Sequence, residues 1–395
     1  MTRKIITRTI WVLSLVSLCT DMASEMLYPV MPAYLRSIGF SIVAIGLLEG
    51  LAEAVAGLSK GYFGKLSDHK GRRVPFVQLG YSLSALSKPL MALLIQPLWI
   101  FFARTIDRLG KGIRTGARDA LLSSETTPEH KGRVFGFHRS WDTIGAVLGP
   151  AAALIYLYFR PGEYRTLFLV AFLPGVLAIL LTFKLKESKV SQEVRTGGVS
   201  FFSFMSYWKI SPLKYRQITI GFLLFALINS SDIFLLLRMK DVGLNDTQTI
   251  GVYIFYNLVY ALLSYPVGIL ADKIGFRKMF VFGLSLFVLV YIGFGVFPGF
   301  YSFALFFFLY GLYAAATEGV SKAWISNVVK REDTATAIGA YTAFQSICLL
   351  LASTLAGLIW TYFGAATLFI WSGALAAVIV VYFLRLMPSP RPNLG

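Results

Sequence analysis

The sequence predicts an all-α polytopic membrane protein, and three observations carry that prediction. Hydrophobic residues make up 56% of the chain and charged residues 14%, a mix too apolar for a soluble domain of 395 residues. A polar turn between two apolar runs recurs 204 positions later between two others. Basic residues, which bring the net charge to +17, gather in alternate loops, as they do on one face of a membrane. A spanning helix takes about 20 apolar residues, so the length accommodates twelve helices with short loops.

The turn is Gly64-Lys65-Leu66-Ser67-Asp68-His69-Lys70-Gly71-Arg72-Arg73, and its echo is Gly268-Ile269-Leu270-Ala271-Asp272-Lys273-Ile274-Gly275-Phe276-Arg277. Gly64, Asp68, Gly71 and Arg73 match Gly268, Asp272, Gly275 and Arg277 at one offset, the mark of an internal repeat. Glycine permits close helix approach and positive φ. The Asp can accept hydrogen bonds from free N–H groups at a helix start. The Arg residues hold the turn among headgroups.

These residues resemble the signature loop of the major facilitator superfamily, a G-x-L-a-D-r-x-G-r-[RK] pattern between the second and third helices, echoed between the eighth and ninth. The resemblance implies twelve transmembrane helices in two six-helix bundles and transport by alternating access.

Taken in order, the hydropathy places spans near 10–35, 41–64, 74–95, 97–122, 133–159 and 165–184, then 217–238, 247–271, 278–297, 300–327, 334–362 and 365–385. The expected units are an N-terminal bundle over 1–184, a linker over 185–216, a C-terminal bundle over 217–387 and a disordered tail over 388–395. With both termini cytoplasmic, roughly 23 basic residues face inside against about 5 outside, which sets the orientation. The linker from Lys186 to Gly198 is charged and small and is expected to be mobile. Phe201 to Lys209 mixes aromatic and polar residues, as an interfacial helix on the inner leaflet would. No cleavable signal peptide is expected ahead of Ile10. Cys19 and Cys348 both fall in predicted helices, so neither a disulfide framework nor a Cys-based metal site is expected.

Ionisable residues inside a membrane are costly and mark function. The first span carries Asp21 and Glu25 one turn apart, and the second carries Glu49 and Glu53. A carboxylate that pairs with an Arg in one state and loses it in the other takes up and releases a proton. Spacing does not decide among the four; Glu25, Asp21 and Glu53 are favoured. The fourth span carries Arg104, Arg108, Lys111 and Arg118 on one helical face, flanked by Asp107 and Arg114. That stripe cannot face lipid. It reads either as an ion-pair network with the carboxylates or as a site for an anionic group, which suits the forked guanidinium. Arg118 and Asp119 are expected to latch onto the Asp68 loop, so the gating set is Gly64, Asp68, Gly71, Arg72, Arg73, Arg118, Asp119, Asp272 and Arg277.

The fifth span carries Gly136, Gly145, Gly149 and Pro150. Their G-x8-G-x3-G-P spacing resembles the antiporter signature of drug/proton exporters in the same superfamily, and it also suits plain close packing of helices. The fourth span departs from those exporters: Asp107 and Arg108 stand where they carry Gln and Gly. The C-terminal half offers neutral and aromatic groups instead, with Asn229, Tyr256 and Asn257 as candidate substrate residues beside the cationic stripe. The reading is a proton-coupled secondary transporter exporting an amphiphilic organic compound. The alternative is uptake or exchange of an organic anion read by the fourth-span arginines. The expected partners are a small-molecule substrate, protons and the bilayer, with a monomer in the bacterial inner membrane, no nucleic acid and no cofactor. His69, His130 and His138 are scattered and form no catalytic or metal motif, so no enzyme is expected.

Overall fold

The computed structural model describes residues 5–28, 30–31, 34–35, 38–39, 42–187, 200–244 and 246–386, with residues 42–54 described by their backbone. The N-terminal half holds α1 (Arg8–Glu25), α2 (Ile42–His69), α3 (Val74–Leu93), α4 (Pro97–Ser124), α5 (Lys131–Phe159) and α6 (Tyr164–Thr182). The C-terminal half holds α7 (Leu213–Ala226), α8 (Ile233–Asp241), α9 (Asp246–Ile274), α10 (Phe276–Val296), α11 (Phe300–Val328), α12 (Thr334–Phe363) and α13 (Ala365–Arg385). Among the described residues, seven helices are long and apolar enough to cross a membrane. The charge-laden α4 is not among them.

The seventh predicted span, 217–238, is broken. Helix α7 stops at Ala226 and α8 starts at Ile233. The interruption, Leu227-Ile228-Asn229-Ser230-Ser231-Asp232, ends in residues whose short polar side chains compete with helical hydrogen bonds. Non-helical backbone at membrane depth survives only where other groups satisfy it. Here the Ser231 N–H donates to Ser353 Oγ at 3.1 Å. The Asn229 amide donates to Tyr313 Oη at 3.2 Å, and Tyr310 Oη donates to Asp232 at 2.7 Å.

Each half is a bundle, with α1 against α5 and α6, α2 and α3 against α4, and α10 against α11 and α13. Two seams join the halves: α2 on α12 and α5 on α9. Both are glycine-lined. A Cβ on Gly64 would collide with the Ala335 carbonyl, and one on Gly268 with the Gly132 carbonyl. Only hydrogen fits there.

The linker departs from expectation. In place of an interfacial helix it makes a 3-10 turn, Ser203–Ser206, and one α turn, Tyr207–Ile210. Phe204 is buried against Gly61, Ala340 and Ala343, so an aromatic side chain from the linker fills the α2–α12 seam. Most of the stretch expected to be mobile, and the tail over 388–395, lie outside the described residues.

Candidate functional site

The repeated turn builds a seal at the end of the molecule that carries the basic loops. Gly71 and Gly275 take φ of 62° and 95°, the left-handed conformation each turn needs. Asp68 then accepts from the Thr336 N–H at 2.7 Å and its hydroxyl at 2.9 Å, at the start of α12. Asp272 accepts from the Gly132 and Arg133 N–H groups, both at 2.7 Å, at the start of α5. Thr336 lies 204 positions after Gly132, the offset that separates Asp272 from Asp68. Each half therefore uses the same carboxylate to cap a helix of the other half.

The two copies differ in their arginines. Arg73 is buried, pairs with Asp68 at 3.3 Å and donates to the Arg331 carbonyl at 2.8 Å and the Ala120 carbonyl at 3.2 Å. Arg277 turns away and donates to the Leu386 carbonyl in its own half. Arg72 is exposed. Arg118 and Asp119, expected on the Asp68 loop, pair with each other at 2.9 Å, and Asp119 pairs with Lys322 of the C-terminal half at 2.8 Å. Their side chains leave α4 on another face, toward Ser17 and Lys322, and the loop's Arg73 meets the backbone carbonyl of Ala120.

Above this seal lies a cleft of about 440 Å³ lined by Asp21, Ser24, Glu25, Tyr28, Arg104, Asp107, Arg108, Lys111 and Arg114. The structure thus brings the α1 carboxylates and four of the α4 cations together. Asp107 serves the scaffold: it accepts from the buried Lys88 ammonium at 2.7 Å and pairs with Arg104 at 3.6 Å. Arg114 donates to Ser84 Oγ at 2.5 Å and lies 4.6 Å over the Tyr81 ring. The remaining lining cations, Arg108 and Lys111, are half-buried and exposed respectively. The side chains of Glu49 and Glu53 lie outside the described residues.

Asn229, Tyr256 and Asn257 do not line this cleft. Asn257 donates to the Tyr253 carbonyl of its own helix at 3.0 Å. Tyr256 packs among Tyr260, Phe307 and Tyr310. Tyr253 of the C-terminal half stands near enough to Glu25 and Tyr28 to feel their charge. It stands one helical turn before Asn257, on the face that period-3.6 counting would have selected.

A second cavity of about 270 Å³ lies below, between the halves, lined by Arg118, Asp119, His138, Arg139, Asp142, Glu318 and Lys322 together with Phe135 and Gly319. Arg139 pairs with Asp142 at 2.7 Å and reaches Glu318 at 3.7 Å and the Tyr260 hydroxyl, both in the other half. Of these fifth-span groups, only His138 is singled out from the sequence, as one of three scattered histidines. Their signal was the polar run His138-Arg139-Ser140 with Asp142 inside an apolar helix. The glycines nearby act in packing: Gly136 faces Ser264 and Gly268, while Gly145 and Gly149 face the Leu18 and Met22 carbonyls of α1. Pro150 sits within α5.

Comparison with known proteins adds relatives. The family model of the Major Facilitator Superfamily matches residues 13–253 and 233–395. An uncharacterized MFS-type transporter of Methanocaldococcus jannaschii is 31% identical over 379 residues, 94% of this chain and 93% of that one. The multi-drug resistance efflux pump PmrA of Streptococcus pneumoniae is 22% identical over 285 residues, 69% of each chain. Among solved structures, the human organic anion transporter MFSD10 superposes with a TM-score of 0.76 at 15% identity, over 95% of this chain and 99% of that one.

Proposed function

The chain belongs to the Major Facilitator Superfamily, and from that premise we propose a proton-coupled secondary transporter that exports an amphiphilic organic anion by alternating access. The observation that carries the reading is the cleft, where Arg108 and Lys111 stand beside Asp21 and Glu25. An acidic head entering the cleft meets a guanidinium and an ammonium, and guanidinium suits bidentate recognition of carboxylate or phosphate. The apolar body lies toward Tyr28 and Tyr253.

The basic end is cytoplasmic on this reading, because the basic loops gather there. The Asp68 and Asp272 caps hold that end shut, so the structure supports the outward-facing state of the cycle. Export is favoured by the glycine spacing on α5 and by the efflux relative. Cargo and protons occupy the protein in alternation: Asp21 and Glu25 take up protons once cargo has left outward, and the protons leave at the basic end before the next cargo binds. Units over 1–184 and 217–387 rock as bodies about the linker, in a monomer of the bacterial inner membrane.

Proteoliposomes test this with a fluorescent fatty carboxylate as probe. An imposed pH gradient should drive its accumulation, and Glu25→Gln should abolish accumulation while downhill exchange survives. No gradient-driven movement of this probe, or of a phosphate-headed one, would contradict the reading.

A further inference from the structure

We propose that His138 takes up the coupling proton, reached from the cleft through Asp21, Ser17 and Asp142; this rests on the proton-coupled reading above. Asp21 lines the cleft and faces Asp142. One turn along α1, Ser17 donates to Asp142 at 2.5 Å. Arg118 donates to Ser17 at 3.3 Å, which orients the hydroxyl toward the carboxylate. One turn along α5 from Asp142 stands His138, 4% exposed, lining the lower cavity.

The imidazole is the unmatched member of an otherwise paired cluster. Arg118, Arg139 and Lys322 balance Asp119, Asp142 and Glu318 within the lining. The pairs Arg118–Asp119, Lys322–Asp119, Arg139–Asp142 and Arg139–Glu318 account for all six. His138 Nε2 has no hydrogen-bond partner among the described residues. A buried polar atom without a partner is costly and calls for an explanation. A site that must stay open for a proton supplies one.

The groups around His138 set the consequence. They are Arg118 and Asp119 from α4, Arg139 and Asp142 from α5, and Glu318 and Lys322 from α11, with Tyr260 of α9 behind Arg139 and Asp21 of α1 beside Asp142. A proton moving from the cleft onto Nε2 leaves the lower cavity with one positive charge in excess. His138 and Asp142 are neighbours at i,i+4, so the imidazolium competes with Arg139 for Asp142. Arg139 is also the residue that holds Tyr260 and Glu318 across the halves. Loosening it loosens the seal. Water entering the parted cavity then hydrates the added charge and carries the proton away at the basic end. Proton uptake therefore drives the molecule toward the state open at that end.

The test follows the imidazole and the seal together. The chain has three histidines, so His69→Asn with His130→Asn leaves His138 as the sole imidazole for nuclear magnetic resonance. Spin labels at Lys70→Cys and Lys330→Cys, both exposed positions at the basic end, with Cys19→Ser and Cys348→Ser, report its opening. As the pH is lowered from about 8 to the acid limit of the folded protein, the separated population should grow by up to about tenfold per pH unit, the limit for one linked proton. The His138 resonance should titrate with the same midpoint, and His138→Gln should abolish the response. A response that survives His138→Gln, or a His138 resonance that stays flat, overturns the assignment while leaving proton coupling standing. A seal indifferent to pH in the unsubstituted cluster overturns both. If His138→Gln does not fold, the native resonance and the label distances still decide.

Discussion

The two halves share a scaffold and differ in what they place behind it. In the N-terminal half the interior is charged: Lys88 of α3 against Asp107 of α4, Arg118 against Asp119 within α4, Arg139 against Asp142 within α5. In the C-terminal half, the corresponding depth is filled by rings. Tyr256, Tyr291, Tyr310 and Tyr313 pack on Phe287 and Phe307 and on one another. The difference teaches that the repeat preserves the parts that join the halves, the glycine seams and the helix-capping Asp, and leaves the walls free to diverge. One wall handles charge; the other handles apolar bulk.

The comparison breaks most visibly in the scaffold. Asp107→Asn strands Lys88, whose side chain is 1% exposed. Removing one partner of a buried pair costs about 3–5 kcal/mol. We expect loss of folded, monodisperse protein or a large fall in the thermal midpoint, with recovery in Lys88→Met combined with Asp107→Leu. Asp232→Asn in the other half keeps a hydrogen bond with Tyr310 and should cost about 1 kcal/mol. Equal losses at the two sites would remove the distinction between the walls.

A smaller effect is expected at the seal. Asp68→Asn weakens both the α12 cap and the Arg73 pair, while Asp272→Asn weakens a cap alone. A helix cap contributes about 1 kcal/mol, so Asp68→Asn should open the basic end more than Asp272→Asn. Distances between labels at Lys70→Cys and Lys330→Cys read the order directly. The reverse order would mean that Arg73 does not reinforce its turn. The smallest effect should be Asn257→Ala, because that amide bonds within its own helix, to Tyr253 one turn back. A shift beyond about 0.5 kcal/mol, the usual limit for positions away from special contacts, would place Asn257 in the transport path.

What was legible in the sequence was local. The repeated turn announces itself because glycine, Asp and Arg at fixed spacing suffice to make it. Helical periodicity likewise put Arg104, Arg108 and Lys111 on one face with Arg118. It could not say that the stripe crosses two cavities, since face is a matter of angle and the cavities differ in depth. Arg118 and Asp119 were expected on the loop, whereas their observed partners, Ser17 and Lys322, come from helices 101 and 203 positions away, a separation that local pattern does not bridge. The break between α7 and α8 was hidden by apolar residues on both sides of Asn229-Ser230-Ser231-Asp232. The caps at Thr336 and Gly132 needed tertiary geometry, although the 204-residue offset pairs them once one is known.

The central claim is that the α4 cleft reads negative charge. One measurement addresses it: the thermal shift of the purified protein against amphiphiles that share one alkyl chain and differ in head group. Carboxylate and phosphate heads should stabilise the protein, neutral and trimethylammonium heads should not, and Arg108→Gln with Lys111→Gln should erase the difference. Stabilisation by the trimethylammonium compound equal to or above that by the carboxylate would contradict the account.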